Sequence, residues 1–215
     1  MDDLRFAVAD NDVDAVVYLC STDKMTPELC KLAVQANNLH MLKTLRECGC
    51  PWDESAMEYA AEHPTLDMVE YLFKQQCPWD EEACTAAIEC NNLDTLHFLH
   101  TNGCPWGPEA YPAAMEFGSA AVVEYLVKSG CSWHPQTMTH AVRHRDLGMV
   151  RYLYTNGCPA GADACFAAVR YNKLSILQFL LDTEASPDLF SLTKLATGKG
   201  HQTIVTFLSR RIIEG

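Results

Sequence analysis

Apolar residues recur along this chain in short bursts at helical spacing. In the segment Asp80-Glu81-Glu82-Ala83-Cys84-Thr85-Ala86-Ala87-Ile88, the residues Cys84, Ala87 and Ile88 stand at i, i+3 and i+4, which places them on one face of a helix. Asp80 occupies an N-cap position, and Glu81 and Glu82 follow at the positive end of the helix dipole. Asn91-Asn92 then supplies a turn that tolerates left-handed backbone angles. Leu93, Leu96, Phe98 and Leu99 predict a second amphipathic helix, which stops at the C-cap signal Asn102-Gly103.

This helix pair is one copy of a repeat. Cys50, Cys77, Cys104, Cys131 and Cys158 fall at a constant interval of 27 residues. Four of them open Cys-Pro: Cys50-Pro51-Trp52-Asp53, Cys77-Pro78-Trp79-Asp80, Cys104-Pro105-Trp106-Gly107 and Cys158-Pro159-Ala160-Gly161, whereas the fifth reads Cys131-Ser132-Trp133-His134. Glycine precedes the cysteine as Gly49, Gly103, Gly130 and Gly157, with Gln76 the exception. Ten residues beyond the cysteine position the column reads Ala33, Ala60, Ala87, Ala114, Ala141, Ala168 and Leu195; twenty-two beyond, it reads Leu45, Leu72, Leu99, Leu126, Leu153, Leu180 and Phe207. Leu4, Ala7 and Val8, then Val13, Val16 and Leu19, continue the two-helix pattern toward the start.

These columns predict an all-α fold, a solenoid of stacked helix-turn-helix units in a single array over residues 1–215. About eight units and 16 short helices are expected, the first unit incomplete and the last acting as a C-terminal cap. Alanine in the first helix lets neighbouring units approach closely, while leucine and aromatic residues of the second helix fill the remaining space. No single unit could bury its own apolar face, so stacking is obligatory.

Composition agrees with a folded chain, since 215 residues at 48% hydrophobic content bury enough surface for a compact domain or array. No run of about 18 or more apolar residues exists, and the opening Met1-Asp2-Asp3-Leu4-Arg5 is acidic where a secretory signal would be basic and then apolar. The expectation is a soluble intracellular protein, cytoplasmic or nuclear, with its eleven cysteines reduced. The net charge of -12 is uneven: residues 1–107 hold 19 acidic and 6 basic side chains, a net of -13, and residues 108–215 hold 9 and 10, a net of +1. Such acidity repels phosphate backbones, so neither nucleic acid nor membrane is an expected partner.

The units resemble ankyrin repeats. Gly103-Cys104-Pro105-Trp106 stands where an ankyrin repeat has Gly-Ala-Asp and its β-hairpin, and Leu93 to Leu99 is similar to the ankyrin second helix, as is the Ala-Ala pair of the first. The unit departs in length, 27 residues against about 33, and lacks Thr-Pro-Leu-His. The resemblance therefore implies ankyrin-like repeats with shortened loops in place of the β-hairpins, like the arrays common in large DNA viruses and protists. It also implies binding without catalysis.

The repeated cysteines suggest metal ligation only superficially. Equivalent atoms of stacked helices lie about 10 Å apart, too far for one zinc site or for disulfides between neighbouring copies. Burial as small packing residues is the expectation, and Cys20, Cys48 and Cys90 lie outside the main column. The tryptophans Trp52, Trp79, Trp106 and Trp133 are expected to seal the seam between units; partial exposure would make them candidates for binding. His140 and His144 share a helical face, but no Glu or Cys completes a metal set nearby. Phosphate-binding Gly-rich loops, Gly-x-Ser-x-Gly, His-Glu-x-x-His and Cys-x-x-Cys are all missing, so no enzymatic activity and no cofactor or metal is expected.

What remains is binding of a protein partner. In ankyrin-like arrays the first helices line a concave face. The position twelve after the cysteine reads Gln35, Glu62, Glu89, Glu116, Arg143, Arg170 and Thr197, changing sign once. The column eight after it reads Lys31, Glu58, Thr85, Pro112, Thr139, Phe166 and Thr193. Glu58, Glu62, Glu89, Glu116, Arg143 and Arg170 are the expected partner contacts of a protein-protein interaction scaffold. A cysteine-based redox or metal-responsive protein is the alternative.

Overall fold

A computed structural model describes residues 2–21, 24–183 and 187–214 of the chain. Among the described residues the fold is all-helical, with no strand. The helices are α1 (Asp2–Ala9), α2 (Val13–Leu19), α3 (Pro27–Gln35), α4 (Leu39–Glu47), α5 (Glu54–Ala61), α6 (Asp67–Lys74), α7 (Glu81–Glu89), α8 (Leu93–Thr101), α9 (Ala110–Glu116), α10 (Ala120–Lys128), α11 (Thr137–His144), α12 (Leu147–Thr155), α13 (Ala162–Arg170), α14 (Leu174–Leu181), α15 (Leu189–Lys199) and α16 (Gln202–Glu214). The chain divides into two compact units, Met1–Val122 and Val123–Gly215, and the division falls within α10.

Local chemistry sets the helix ends. Asp53, Asp80 and Asp188 cap first helices by accepting the N–H groups of Ser55, Glu82 and Phe190. The second helices end on left-handed residues: Gly49, Gly103, Gly130 and Gly157 have φ of 79, 98, 72 and 89°, and Gln76 adopts 58° in the same place. The following cysteine N–H then donates to the carbonyl five residues back, as from Cys50 to Leu45 at 2.9 Å and from Cys104 to Leu99 at 3.0 Å. Together with the bond from Gly49 to Arg46, this is a Schellman closure.

The turn inside a helix pair uses the same device. Asn11, Asn37 and Asn91 take φ of 57, 51 and 54°. The next residue closes the first helix with its N–H, Asn92 donating to Ala87 at 2.8 Å. Its side chain then starts the second helix, the Asn92 carboxamide oxygen accepting from Thr95.

Within Met1–Val122 the first helices α1, α3, α5, α7 and α9 pack in succession, and α2 packs on α4. Within Val123–Gly215, α11, α13 and α15 do the same, and α12 packs on α14. The alanines of the repeated column, from Ala33 to Ala168, are buried, as are Leu45, Leu72, Leu99, Leu126, Leu153 and Leu180. Each buried leucine contributes about 1.5–3 kcal/mol of transfer free energy. Leu195 and Phe207, the final members of those columns, are only half-buried.

The column cysteines are buried. In the first unit the thiols reach back one repeat: Cys50, Cys77 and Cys104 donate to the carbonyls of Thr26, Asp53 and Asp80 at 3.2, 3.6 and 3.1 Å. Those acceptors are the N-cap residues of α3, α5 and α7. Cys20, Cys48 and Cys90, the cysteines off the column, are C-caps of α2, α4 and α7.

Each tryptophan is half-buried. The Arg46 guanidinium lies 3.8 Å from the Trp52 ring centroid, Phe73 stacks on Trp79 at 5.2 Å, and His100 stacks on Trp106 at 4.2 Å. The partner in each case stands six residues earlier, near the end of the preceding second helix. Trp52 also meets Tyr71 edge-on, and Phe73 meets Phe98, so rings of consecutive repeats are in contact.

Candidate functional site

In Met1–Val122 the column twelve residues after the cysteine coincides with the first-helix ends. Gln35, Glu89 and Glu116 are the last residues of α3, α7 and α9, and Glu62 is the C-cap of α5. All four side chains are exposed. A carboxylate here faces the negative end of the helix dipole, an adverse placement worth about 0.3–1 kcal/mol. Among the described residues, Glu62, Glu89 and Glu116 have no ion-pair partner.

Glu58, one turn earlier on α5, is half-buried. Burial pushes its carboxyl pKa up, and the negative charges of Glu82, Glu62 and Asp80 add to the effect, with Lys31 opposing. The Lys31 ammonium meanwhile lies over the Tyr59 ring, 4.8 Å from its centroid. The first-helix face of this unit is therefore acidic and wet.

In Val123–Gly215 the same column supplies Arg143 and Arg170, both exposed, near the ends of α11 and α13. They border a groove of about 300 Å³ between these helices. His140 and Arg143 contribute from α11, and Asp163, Phe166 and Arg170 from α13; Tyr171 also lines the groove, its ring centroid 5.8 Å from the Arg143 guanidinium. The spacing is i, i+3 within α11 and i, i+3, i+7 within α13, so each set projects from one helix face. Lys173 sits beside this groove and donates to the carbonyls of Arg143 and Arg145 at 3.1 and 2.8 Å, closing the end of α11. Burial holds the Lys173 pKa below its ordinary value, partly offset by Asp146.

The expected contacts thus fall into two sets. Glu58, Glu62, Glu89 and Glu116 lie on or at the ends of successive first helices of one unit, whereas Arg143 and Arg170 share a groove in the other. The Phe166 and Asp163 contributions were not singled out as contacts by the sequence pattern, although Phe166 stands in the column eight after the cysteine. The rings of His140 and His144 lie parallel at 6.3 Å. Among the described residues, no group of three His, Cys, Asp or Glu side chains is placed to hold a metal ion.

Two thiol pairs recur at a separation of 20 residues. Cys84 donates to the sulfur of Cys104 and holds its pKa below the ordinary thiol value; Cys30 does the same for Cys50. Burial pushes the other column thiols up, Cys77 to about 12 and Cys131 to about 11.

Among the described residues no helix is long and apolar enough to cross a membrane. Comparison with models of known protein families finds no match, and comparison with curated protein sequences finds none either.

Proposed function

We propose that this chain is a non-catalytic protein-interaction scaffold, a solenoid of short ankyrin-like repeats that holds a partner protein on its first-helix faces. The observation that carries the reading is the set Glu62, Glu89 and Glu116: three exposed carboxylates at the adverse ends of three successive first helices, without ion pairs among the described residues. A residue that weakens its own helix and meets no cation among the described residues is explained by what it meets outside the chain. The 27-residue repeat, the shared capping turns and the succession of packed first helices support the ankyrin-like description. A reducing compartment, cytoplasm or nucleus, suits so many buried thiols.

Affinity capture with the intact chain, followed by association-rate measurements on the captured partner, tests this function. Charge reversal in E62K/E89K/E116K is expected to slow association at least tenfold at low salt, with helix content unchanged. An unchanged rate would remove this face as the recognition surface.

A second reading, a thiol-based redox response, is suggested by the two sulfur-to-sulfur contacts, Cys30 with Cys50 and Cys84 with Cys104. Thiol titration of the native protein separates the two. Two fast-reacting thiols abolished by Cys50→Ser and Cys104→Ser would favour redox chemistry.

A further inference from the structure

The groove between α11 and α13 is built differently from the acidic face, and its chemistry specifies an occupant. Arg143 and Arg170 stand on neighbouring helices at its border, and among the described residues neither has a carboxylate within ion-pair distance. Helix capping does not account for Arg143, because the Lys173 ammonium already meets one terminal carbonyl of α11, that of Arg143, and the carbonyl of its C-cap Arg145. Phe166 leaves part of its ring in the groove. Asp163 lies two helical turns from Arg170, about 10 Å along α13. His140 lines the wall, and its Nδ1 is buried without a hydrogen-bond partner among the described residues.

We infer that this groove binds an extended acidic segment of a partner protein, one carboxylate seated between Arg143 and Arg170 and an adjacent apolar side chain packed on Phe166. The inference deepens the scaffold reading and rests on it. Two guanidiniums without counter-ions among the described residues favour a carboxylate over an amide by charge as well as by hydrogen bonding. The volume of about 300 Å³ takes one or two side chains, which suits a strand of peptide laid across the helices rather than an enclosed small molecule. Asp163 at the far end disfavours continuous negative charge, so the carboxylates belong at the arginine end. A turn of the His140 ring about its Cβ–Cγ bond would bring the unpaired nitrogen toward an acceptor on that segment.

The test uses the full chain and a fluorescein-labelled octapeptide alternating leucine and glutamate, with fluorescence anisotropy as the readout. The acidic peptide is expected to bind at least tenfold more tightly than the same peptide with glutamine for glutamate. Its affinity should fall at least tenfold in R143E/R170E and in R143Q/R170Q, and more modestly in Phe166→Ala. Reversal of Lys194 and Lys199 to glutamate, on α15 and outside the groove, should leave it unchanged. Circular dichroism confirms that each variant is folded. Equal binding of the glutamine peptide, or equal losses from the α15 reversal and the arginine variants, would overturn the assignment. If the peptide fails to bind while E62K/E89K/E116K still slows a captured partner, the groove assignment fails and the scaffold reading stands. If both effects are missing, both fail.

Discussion

The Sγ atom of Cys104 lies 3.1 Å from the carbonyl oxygen of Asp80, 24 residues earlier. Asp80 is also the N-cap of α7, its carboxylate accepting from Glu82 at 3.0 Å. One residue therefore starts a helix with its side chain and anchors the following repeat with its backbone. Cysteine suits the site because it is small and apolar enough to be buried and still donates weakly. Cys104→Ala is expected to cost about 1–2 kcal/mol, from the lost volume and the lost donor together. Cys158→Ala should cost less, because among the described residues its thiol donates to the carbonyl of its neighbour Pro159, at 4.0 Å, and to none in the preceding repeat. Urea denaturation of the two variants makes the comparison; equal losses would show that the bond to Asp80 adds nothing beyond packing.

Gln76 takes the place filled by glycine in four other repeats, and it does so at φ 58°. A side chain with a Cβ is strained there, by about 1–2 kcal/mol in the left-handed region, whereas glycine is not. Gln76 is exposed, so little packing is at stake. Gln76→Gly should raise stability by about 0.5–1 kcal/mol, after allowing for the extra freedom of glycine in the unfolded chain. The denaturation midpoint measures this. A lower midpoint would mean that the glutamine side chain makes a contact that outweighs its backbone strain.

Ala87 is fully buried on α7, which packs against α5 on one side and α9 on the other. Both neighbours present alanine in the same column, Ala60 and Ala114, also fully buried. Ala87→Leu is expected to destabilise by about 1–3 kcal/mol, since the backbones would have to separate to admit the larger side chain. Thermal melts followed by circular dichroism would show it. A neutral outcome would place the column away from the close contact.

Much of the helical framework was legible because it is written locally. The Asp80 cap, the Asn91 turn and the Gly103 stop each depend on a few consecutive residues, and the repeat displays every signal several times. The thiol bond from Cys104 to Asp80 was not legible, since a backbone acceptor 24 residues away leaves no mark on residue type. Cys20, Cys48 and Cys90 resisted placement for a related reason: they are C-caps, and a cap is recognisable only once the helix end is known. The tryptophan partners could have been found, because Arg46, Phe73 and His100 all stand six residues before a tryptophan. Of the candidate site, the acidic and basic columns were visible as a change of sign. Their surroundings were not, because the lack of cations beside Glu62, Glu89 and Glu116 among the described residues and the capping of α11 by Lys173 depend on what neighbouring helices bring near in space.

Glu58 provides a test by pH. Its folded pKa is raised above the ordinary 4.5, first by burial and then by Glu82, Glu62 and Asp80. A raised folded pKa means that the native state holds this proton more tightly than the unfolded chain does. The resulting stabilisation is fully present below the unfolded value and is lost as pH rises through the folded one. At neutral pH the carboxylate is charged in a half-buried position among like charges, so removing its charge should help. Glu58→Gln is therefore expected to melt at a higher temperature than the parent at pH 7. The advantage should shrink as pH falls and disappear below about pH 4, where the parent carboxyl is protonated as well. Salt distinguishes the two causes, because added ions screen the repulsion from Glu82, Glu62 and Asp80 but do not relieve burial. A gain at pH 7 that shrinks with salt would assign the shift mainly to the acidic face. A gain unaffected by salt would assign it to burial, and no gain at any pH would show that Glu58 does not feel its neighbours in the folded protein.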